Sequence, residues 1–181
     1  MRRVVIDTNL YIDWMNAGRH ELVLFQRDAV KYLSAVVMLE LYAGAFSPRD
    51  RRVLRSVVAA FDRADRILVP SGALYEDAGH VLRALHESRG SQVAGSSLVN
   101  DVLIALSARS IGATVVTSNA RDFVAIREIR RFNLAVVPAC MRPQGETSKL
   151  DPRGRTSTGR SICATCPIFV RDQFPRRISH R

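Results

Sequence analysis

The chain has 181 residues, of which 47% are hydrophobic, and it carries 27 Lys and Arg against 17 Asp and Glu, a formal net charge of +10. This length and apolar content can bury one sizeable core, so we expect one domain with an appendage. No stretch approaches the roughly twenty uncharged apolar residues that cross a bilayer, and the apolar run after Met1 is too short for a secretory signal. We therefore expect a cytoplasmic protein that does not enter a membrane.

Hydrophobic patterning predicts strands that alternate with helices. Short, continuous apolar runs are typical of parallel strands covered on both faces, and they occur at 4–6, 32–36, 67–69, 114–117 and 134–137. Helical spacing and capping signals predict helices at 9–16, 20–30, 37–43, 49–64, 71–88 and 97–110, with a short one ending at 132. This rhythm indicates βαβ units, and therefore an α/β fold, a three-layer α/β/α sandwich with a central parallel sheet of four to five strands.

The composition changes at Arg142, after which Gly, Pro, Ser, Thr and Arg dominate and the periodicity ends. We expect a folded domain over 1–141 and a basic, disordered tail over 142–181, because the tail has too little apolar surface to offset its ordering entropy. The tail holds nine Lys and Arg against three acids, so nucleic-acid affinity there would be nonspecific and sensitive to salt. Its cysteines, Cys163 and Cys166, form with Cys140 an odd set that predicts neither a disulfide framework nor a four-ligand zinc site.

Four acids stand where the pattern predicts apolar surroundings. Asp7 follows the first strand directly, and Asp122 follows the strand at 114–117. Glu40 and Asp101 each have apolar or small residues three and four positions away along a predicted helix, so each faces the core side. Because the carboxyl ends of parallel strands meet at one edge of a sheet, we expect these four acids to converge there. For Asp7, capping of the following helix is an equally good interpretation.

Clustered carboxylates repel one another and raise one another's pKa values unless a cation compensates them. Oxygen ligands without nearby Cys or His favour a hard divalent ion, Mg²⁺ or Mn²⁺, and such an ion bound beside a phosphate predicts phosphodiester hydrolysis. Polar residues at the same strand ends, Asn9, Thr117, Ser118 and Asn119, could orient a carboxylate or the substrate. Turn formation before a helix is an alternative role for Ser118.

These motifs resemble those of the PIN-domain nucleases, and specifically the VapC-type toxins of bacterial type II toxin–antitoxin pairs. The matching segments are Asp7-Thr8-Asn9, Glu40, Asp101 within the run at 100–105, and the run at 117–123, in the order of the family over residues 1 to about 138. The resemblance is carried by the four segments together, since none is specific alone.

The resemblance implies a Mg²⁺-dependent endoribonuclease that is a homodimer, cleaves RNA, and is inhibited by a cognate antitoxin that inserts a segment near the active site. Carried over by position, Asp7 and Asp101 are metal ligands, Glu40 is a ligand or a water-positioning acid, and Asp122 is the fourth acid. Many relatives have an acid where this chain has Asn119, which leaves open whether Asn119 or Asp122 completes the metal site.

Two other classes of function fit parts of the pattern. Phosphatases of the haloacid dehalogenase type also open with a strand ending in Asp, but their chemistry needs a second acid two residues later, where this chain has Asn9. The other alternative is an RNA- or protein-binding module with a PIN-like fold that keeps the carboxylates without cleaving.

Overall fold

A computed structural model of the chain describes residues 1–89 and 96–138, apart from the side chains of Arg89 and Ser96. The strands are β1 (Arg2–Ile6), β2 (Ala29–Ser34), β3 (Ile67–Leu68), β4 (Thr114–Thr117) and β5 (Asn133–Val136). The helices are α1 (Thr8–Ala17), α2 (Glu21–Phe25), α3 (Ala35–Gly44), α4 (Pro48–Arg63), α5 (Gly72–Arg89), α6 (Ser96–Ser110) and α7 (Ala120–Ile129).

The five strands form one parallel sheet in the order β3-β2-β1-β4-β5. Its centre is apolar on both faces, because β1 ends in the buried residues Val4, Val5 and Ile6 beside Val115 and Val116 of β4. Helices on the two faces complete the sandwich, and α6 packs against β1, β2 and β4. The predicted α/β/α fold with a parallel sheet is therefore confirmed, with five strands.

The segment between α1 and α3 differs from the sequence-based prediction. The predicted helix at 20–30 ends at Phe25, and Ala29 and Val30 instead pair with Arg2 and Arg3 of β1. Local helical spacing is therefore overridden by the ladder hydrogen bonds that a neighbouring strand offers. The predicted strand at 32–36 is correspondingly too late, because Ser34 already caps α3 by accepting a hydrogen bond from the backbone N–H of Val36.

The ends of α6 and α7 determine where β4 and β5 begin. Helix α6 ends at Ser110 and turns sharply through Gly112, whose φ of 65° lies in the left-handed region that glycine adopts without strain. The N–H of Ala113 donates to the carbonyl of Ala108 at 2.8 Å, so β4 begins directly below the end of α6. Helix α7 ends at Ile129, three residues before the predicted end, because β5 begins at Asn133.

Some predictions fall outside the described residues. These are the tail at 142–181 and all three cysteines, so the domain division at 141 stays a prediction. Within the described ranges, no helix is both long and apolar enough to cross a membrane.

Candidate metal centre

Asp7 lies at the carboxyl end of β1, where its backbone N–H donates to the carbonyl of Val116 at 2.9 Å. The side chain is 4% exposed and accepts two hydrogen bonds, from the N–H of Thr8 at 2.7 Å and from the hydroxyl of Thr117 at 2.6 Å. The first contact makes Asp7 the N-cap of α1, which is one of the two roles that the sequence predicts for it. Its second oxygen faces the end of β4, so capping and a place in the carboxylate cluster coexist.

Thr117 connects β1, β4 and the start of α7. It is fully buried, and its hydroxyl donates to Asp7 while it accepts from the amide of Asn9 at 3.1 Å and from the backbone N–H of Asn119 at 2.8 Å. A hydroxyl has one donor and two acceptor positions, and all three are used. Thr117 therefore fixes the orientation of the Asp7 carboxylate relative to both strands.

Glu40 projects from α3 toward the same edge of the sheet and is half-buried. One carboxylate oxygen accepts from the hydroxyl of Thr8, and the other accepts from the amide of Asn100 at 2.7 Å. These donors come from α1 and α6, so Glu40 joins three helices. Both donors are neutral, so no positively charged side chain among the described residues orients the Glu40 carboxylate.

Asp101 and Asp122 are joined through the side-chain amide of Asn119. The amide nitrogen donates to Asp101 at 3.3 Å and to Asp122 at 3.0 Å. Asp101 lies on α6 and is 7% exposed, whereas Asp122 lies in the first turn of α7 and is half-buried. The amide thus holds together two acids from different helices that would otherwise repel each other.

Among the described residues, the four acids of the cluster form no ion pair. Burial, together with the neighbouring charges of Asp7, Asp122 and Glu40, raises the pKa of Asp101 to about 8. Burial also raises the pKa of Asp7, against the hydrogen bonds from Thr117 and Thr8, which lower it. The ion pairs among the described residues involve other acids, namely Asp13, Asp28, Asp77 and Glu87.

The donor set fits a hard divalent cation by its chemistry. Asp7, Asp122 and Glu40 lie close enough to Asp101 to raise its pKa, and the side-chain donors to the four acids are hydroxyls and amides rather than arginines or lysines. Among residues 1–89 and 96–138, no three Asp, Glu, His or Cys side chains are already gathered as a closed set of ligands. The hydrogen-bonded arrangement therefore brings the acids near one another without itself being a coordination sphere.

The structure places all eight predicted site residues at one edge of the sheet. Ser118 takes part through its backbone N–H, which lies 3.5 Å from the amide oxygen of Asn9, and a catalytic role for each of the eight stays a prediction. Sequence reasoning missed two residues that hold Glu40, namely Thr8 and Asn100. The only local signal for either was that each stands next to a candidate acid.

Comparison with known protein families gives one match over most of the domain. A family model described as PIN domain matches residues 4–129 of the chain. No curated protein sequence matches significantly.

Solved structures with a similar fold align with this chain over nearly all of their own length. A chain in the crystal structure of VapBC2 from Rickettsia felis bound to a DNA fragment from their promoter is 25% identical, with a TM-score of 0.53, over 75% of this chain and 98% of that one. A chain of DNA-bound VapBC from Salmonella typhimurium is 26% identical, with a TM-score of 0.55 over the same shares. VapBC-1 from nontypeable Haemophilus influenzae, at 21% identity and a TM-score of 0.54 over 74% and 97%, shows the shared fold.

Proposed function

The chain belongs to the PIN domain family, and we propose that it is a Mg²⁺-dependent endoribonuclease that serves as the toxin of a toxin–antitoxin pair. PIN domains are generally nucleases, and they typically use divalent metal ions. Hydrolysis of RNA, the identity of the ion and the toxin role are the specific parts of the proposal.

The observation that carries the proposal is the cluster of acids at the carboxyl edge of the sheet. Asp101 is buried among three other carboxylates, so its ionised form is unfavourable in the protein alone. A buried carboxylate stays ionised near neutral pH only when something of opposite charge compensates it. Because the ion pairs between described residues lie elsewhere, a bound cation is the compensating group that we propose.

Asp7 and Asp101 would hold this cation, with Glu40 and Asp122 as further oxygen donors. All-oxygen donor sets favour Mg²⁺ or Mn²⁺. When bound, such an ion offsets the negative charge that builds on a phosphodiester during attack and makes water more acidic.

The chain's own residues orient the acids and the attacking water. Thr117 orients Asp7, and the amide of Asn119 keeps Asp101 and Asp122 together. Glu40, held by Thr8 and Asn100, would either bind the ion or orient the attacking water. In this scheme Asn119 need not be a ligand, and Asp122 serves as the fourth acid.

The partners follow from the structures that the fold is similar to. These are VapBC assemblies, two of them bound to DNA, which supports a cognate antitoxin as the protein partner of this chain. We propose that the chain also forms a homodimer and that its substrate is RNA.

Cleavage of labelled single-stranded RNA with Mg²⁺, with Mn²⁺ and with a chelator tests the proposal, with Asp7→Asn as the site variant. Asp62→Asn is the matched control, since it removes an exposed acid of α4. We expect the wild type and the control to cleave with either ion and not with chelator, and Asp7→Asn to lose at least about a hundredfold, as when a main electrostatic group is removed.

Two results would overturn the proposal. Cleavage that persists unchanged in Asp7→Asn would remove the carboxylate cluster as the site. RNA binding without cleavage under any ion would favour the binding module instead. Induced expression in a bacterial host tests the toxin role separately, because growth should stop with the wild type and continue with Asp7→Asn.

A further inference from the structure

A pocket of about 780 Å³ opens at the edge of the sheet opposite the acids. It lies at the amino ends of β4 and β5, next to Ala113 and Asn133, whereas Asp7 and Thr117 lie at carboxyl ends. Its volume is within the range of about 300–1,000 Å³ that is usual for small-ligand sites. None of the acids of the candidate metal centre lines it.

One face of α7 and the end of α6 form the walls of the pocket. Val124, Arg127 and Glu128 lie three and four residues apart in α7, which places them along one side of the helix, and Arg131 follows the end of α7. Arg109 comes from the last turn of α6. Phe132 contributes an aromatic surface and is held from behind by Phe123, with ring centroids 6.4 Å apart.

Several N–H donors of the guanidinium groups around this pocket have no partner among the described residues. The Nε of Arg109 donates to the carbonyl of Arg131 at 3.1 Å, and the structure gives its two terminal nitrogens no partner among residues 1–89 and 96–138. In the same ranges, the exposed side chains of Arg127 and Arg131 form no ion pair, although Glu128 is also in the lining. Each guanidinium carries five N–H donors that match the oxygens of a phosphate.

The net charge around the pocket is positive even when the nearby negative charges are included. Glu128 contributes one negative charge, and the carboxyl ends of α6 and α7 contribute roughly half a charge each. Three arginines outweigh these, and Arg3 adds a fourth beside the pocket, since it donates to the carbonyl of Ile111 at 2.9 Å. An anion is therefore favoured here.

We propose that this pocket, named here the arginine pocket and lined by Arg109, Arg127, Arg131 and Phe132, binds a nucleotide phosphate. The guanidiniums hold the phosphate, and the aromatic and aliphatic floor of Phe132 and Val124 accepts the base or sugar. The nucleotide is either free or one unit of an RNA chain that also reaches beyond the candidate metal centre. The proposal does not require that the protein cleaves RNA.

Binding is measured by titration calorimetry on the full chain in chelator and low salt, with inorganic pyrophosphate, adenosine monophosphate and a ten-nucleotide RNA as separate probes. The test variant is Arg127→Gln with Arg131→Gln, both exposed side chains, so its melting temperature should match that of the wild type. The control is Arg52→Gln with Arg55→Gln on α4, which removes the same charge away from the pocket. Both variants keep residues 142–181.

We expect the pocket variant to weaken binding of at least one probe about tenfold or more and the control to change it less than about twofold, as for surface charge alone. Binding of pyrophosphate shows that the arginines hold phosphate, binding of the mononucleotide identifies a free nucleotide as the ligand, and binding of the RNA alone identifies a site for one unit of an RNA strand. Glu128→Gln should tighten binding of the same probe about two- to threefold, because it removes a like charge from the phosphate's surroundings. Equal losses in both double variants, no binding of any probe at millimolar concentration, or no gain in Glu128→Gln would each overturn the proposal.

Discussion

Replacing Asp101 with Asn tests directly whether the cluster carries uncompensated charge. The variant keeps an oxygen that can accept the hydrogen bond from Asn119, and it removes the ionisable group whose pKa is raised to about 8 by burial and by Asp7, Asp122 and Glu40. We therefore expect Asp101→Asn to be more stable than the wild type at alkaline pH in the absence of divalent ions.

The pH dependence follows from the sign of this shift. The ordinary pKa of the group is 3.8, so between about pH 4 and pH 8 the unfolded chain releases the proton while the folded protein keeps it. The free energy of unfolding of the wild type then falls with rising pH, by up to about 1.4 kcal/mol per pH unit for one proton. The advantage of the variant is absent below about pH 4, grows through this window and is complete above about pH 8.

Between pH 5.5 and pH 8.0 the difference amounts to about 3 kcal/mol. For a chain of this length, 1 kcal/mol moves the melting temperature by about 2–4 °C, so the variant should gain about 6–12 °C on the wild type over this interval. Thermal unfolding followed by circular dichroism, in chelator at both pH values, measures it. The exposed acid variant Asp62→Asn should show no such pH-dependent gain.

Divalent ions should reduce the stability advantage of Asp101→Asn. A ligand present at a hundred times its dissociation constant stabilises the folded state by about 2.7 kcal/mol, so the wild type should gain with saturating Mg²⁺ while Asp101→Asn gains much less. A variant that is less stable than the wild type at pH 8 in chelator, or whose difference does not change with pH, would refute the reasoning and identify Asp101 as a structural acid.

Three further predictions concern the surroundings of the site. Thr117→Val removes a buried hydroxyl with three partners and should lower the free energy of unfolding in urea by about 1–3 kcal/mol, whereas Thr117→Ser, which keeps the hydroxyl, should lower it less; equal losses would show that the methyl packing matters instead. Asn119→Asp replaces the bridging donor with a fifth acid, so its melting temperature should fall in chelator and recover with Mg²⁺; a fall that Mg²⁺ does not relieve would contradict a cation at this position. Deleting 142–181 should reduce RNA affinity mainly at low salt, because phosphate contacts by basic residues weaken as salt rises; binding curves at about 50 and 500 mM salt measure this, and loss of folding on truncation would instead place the tail in the core.

The fold and the acids were readable from the sequence because both depend on local patterns. Continuous apolar runs predict buried parallel strands, and an acid placed directly after such a run, as Asp7 is, lies at the edge where strand ends gather. The sequence predicts Glu40 and Asp101 as site residues because a charged residue among apolar helical neighbours is costly to bury unless something compensates its charge. The same local logic misassigned Ala29 and Val30 to a helix, since their spacing fits both periods and only pairing with β1 selects the strand.

The contacts that hold the acids were decided by the tertiary structure. The amide of Asn100 reaches Glu40 across 60 positions of sequence, and Asn9 reaches Thr117 across 108. Such pairs depend on strand register and on how the helices pack, and neither leaves a trace in the spacing of residues along the chain. The arginine pocket has the same origin, because Arg109 and Arg131 meet only where the turn at Gly112 lays the end of α6 beside the start of β5. The order of residues along the chain therefore establishes which chemical groups stand at the ends of the strands, and the packing of distant elements establishes which of those groups touch.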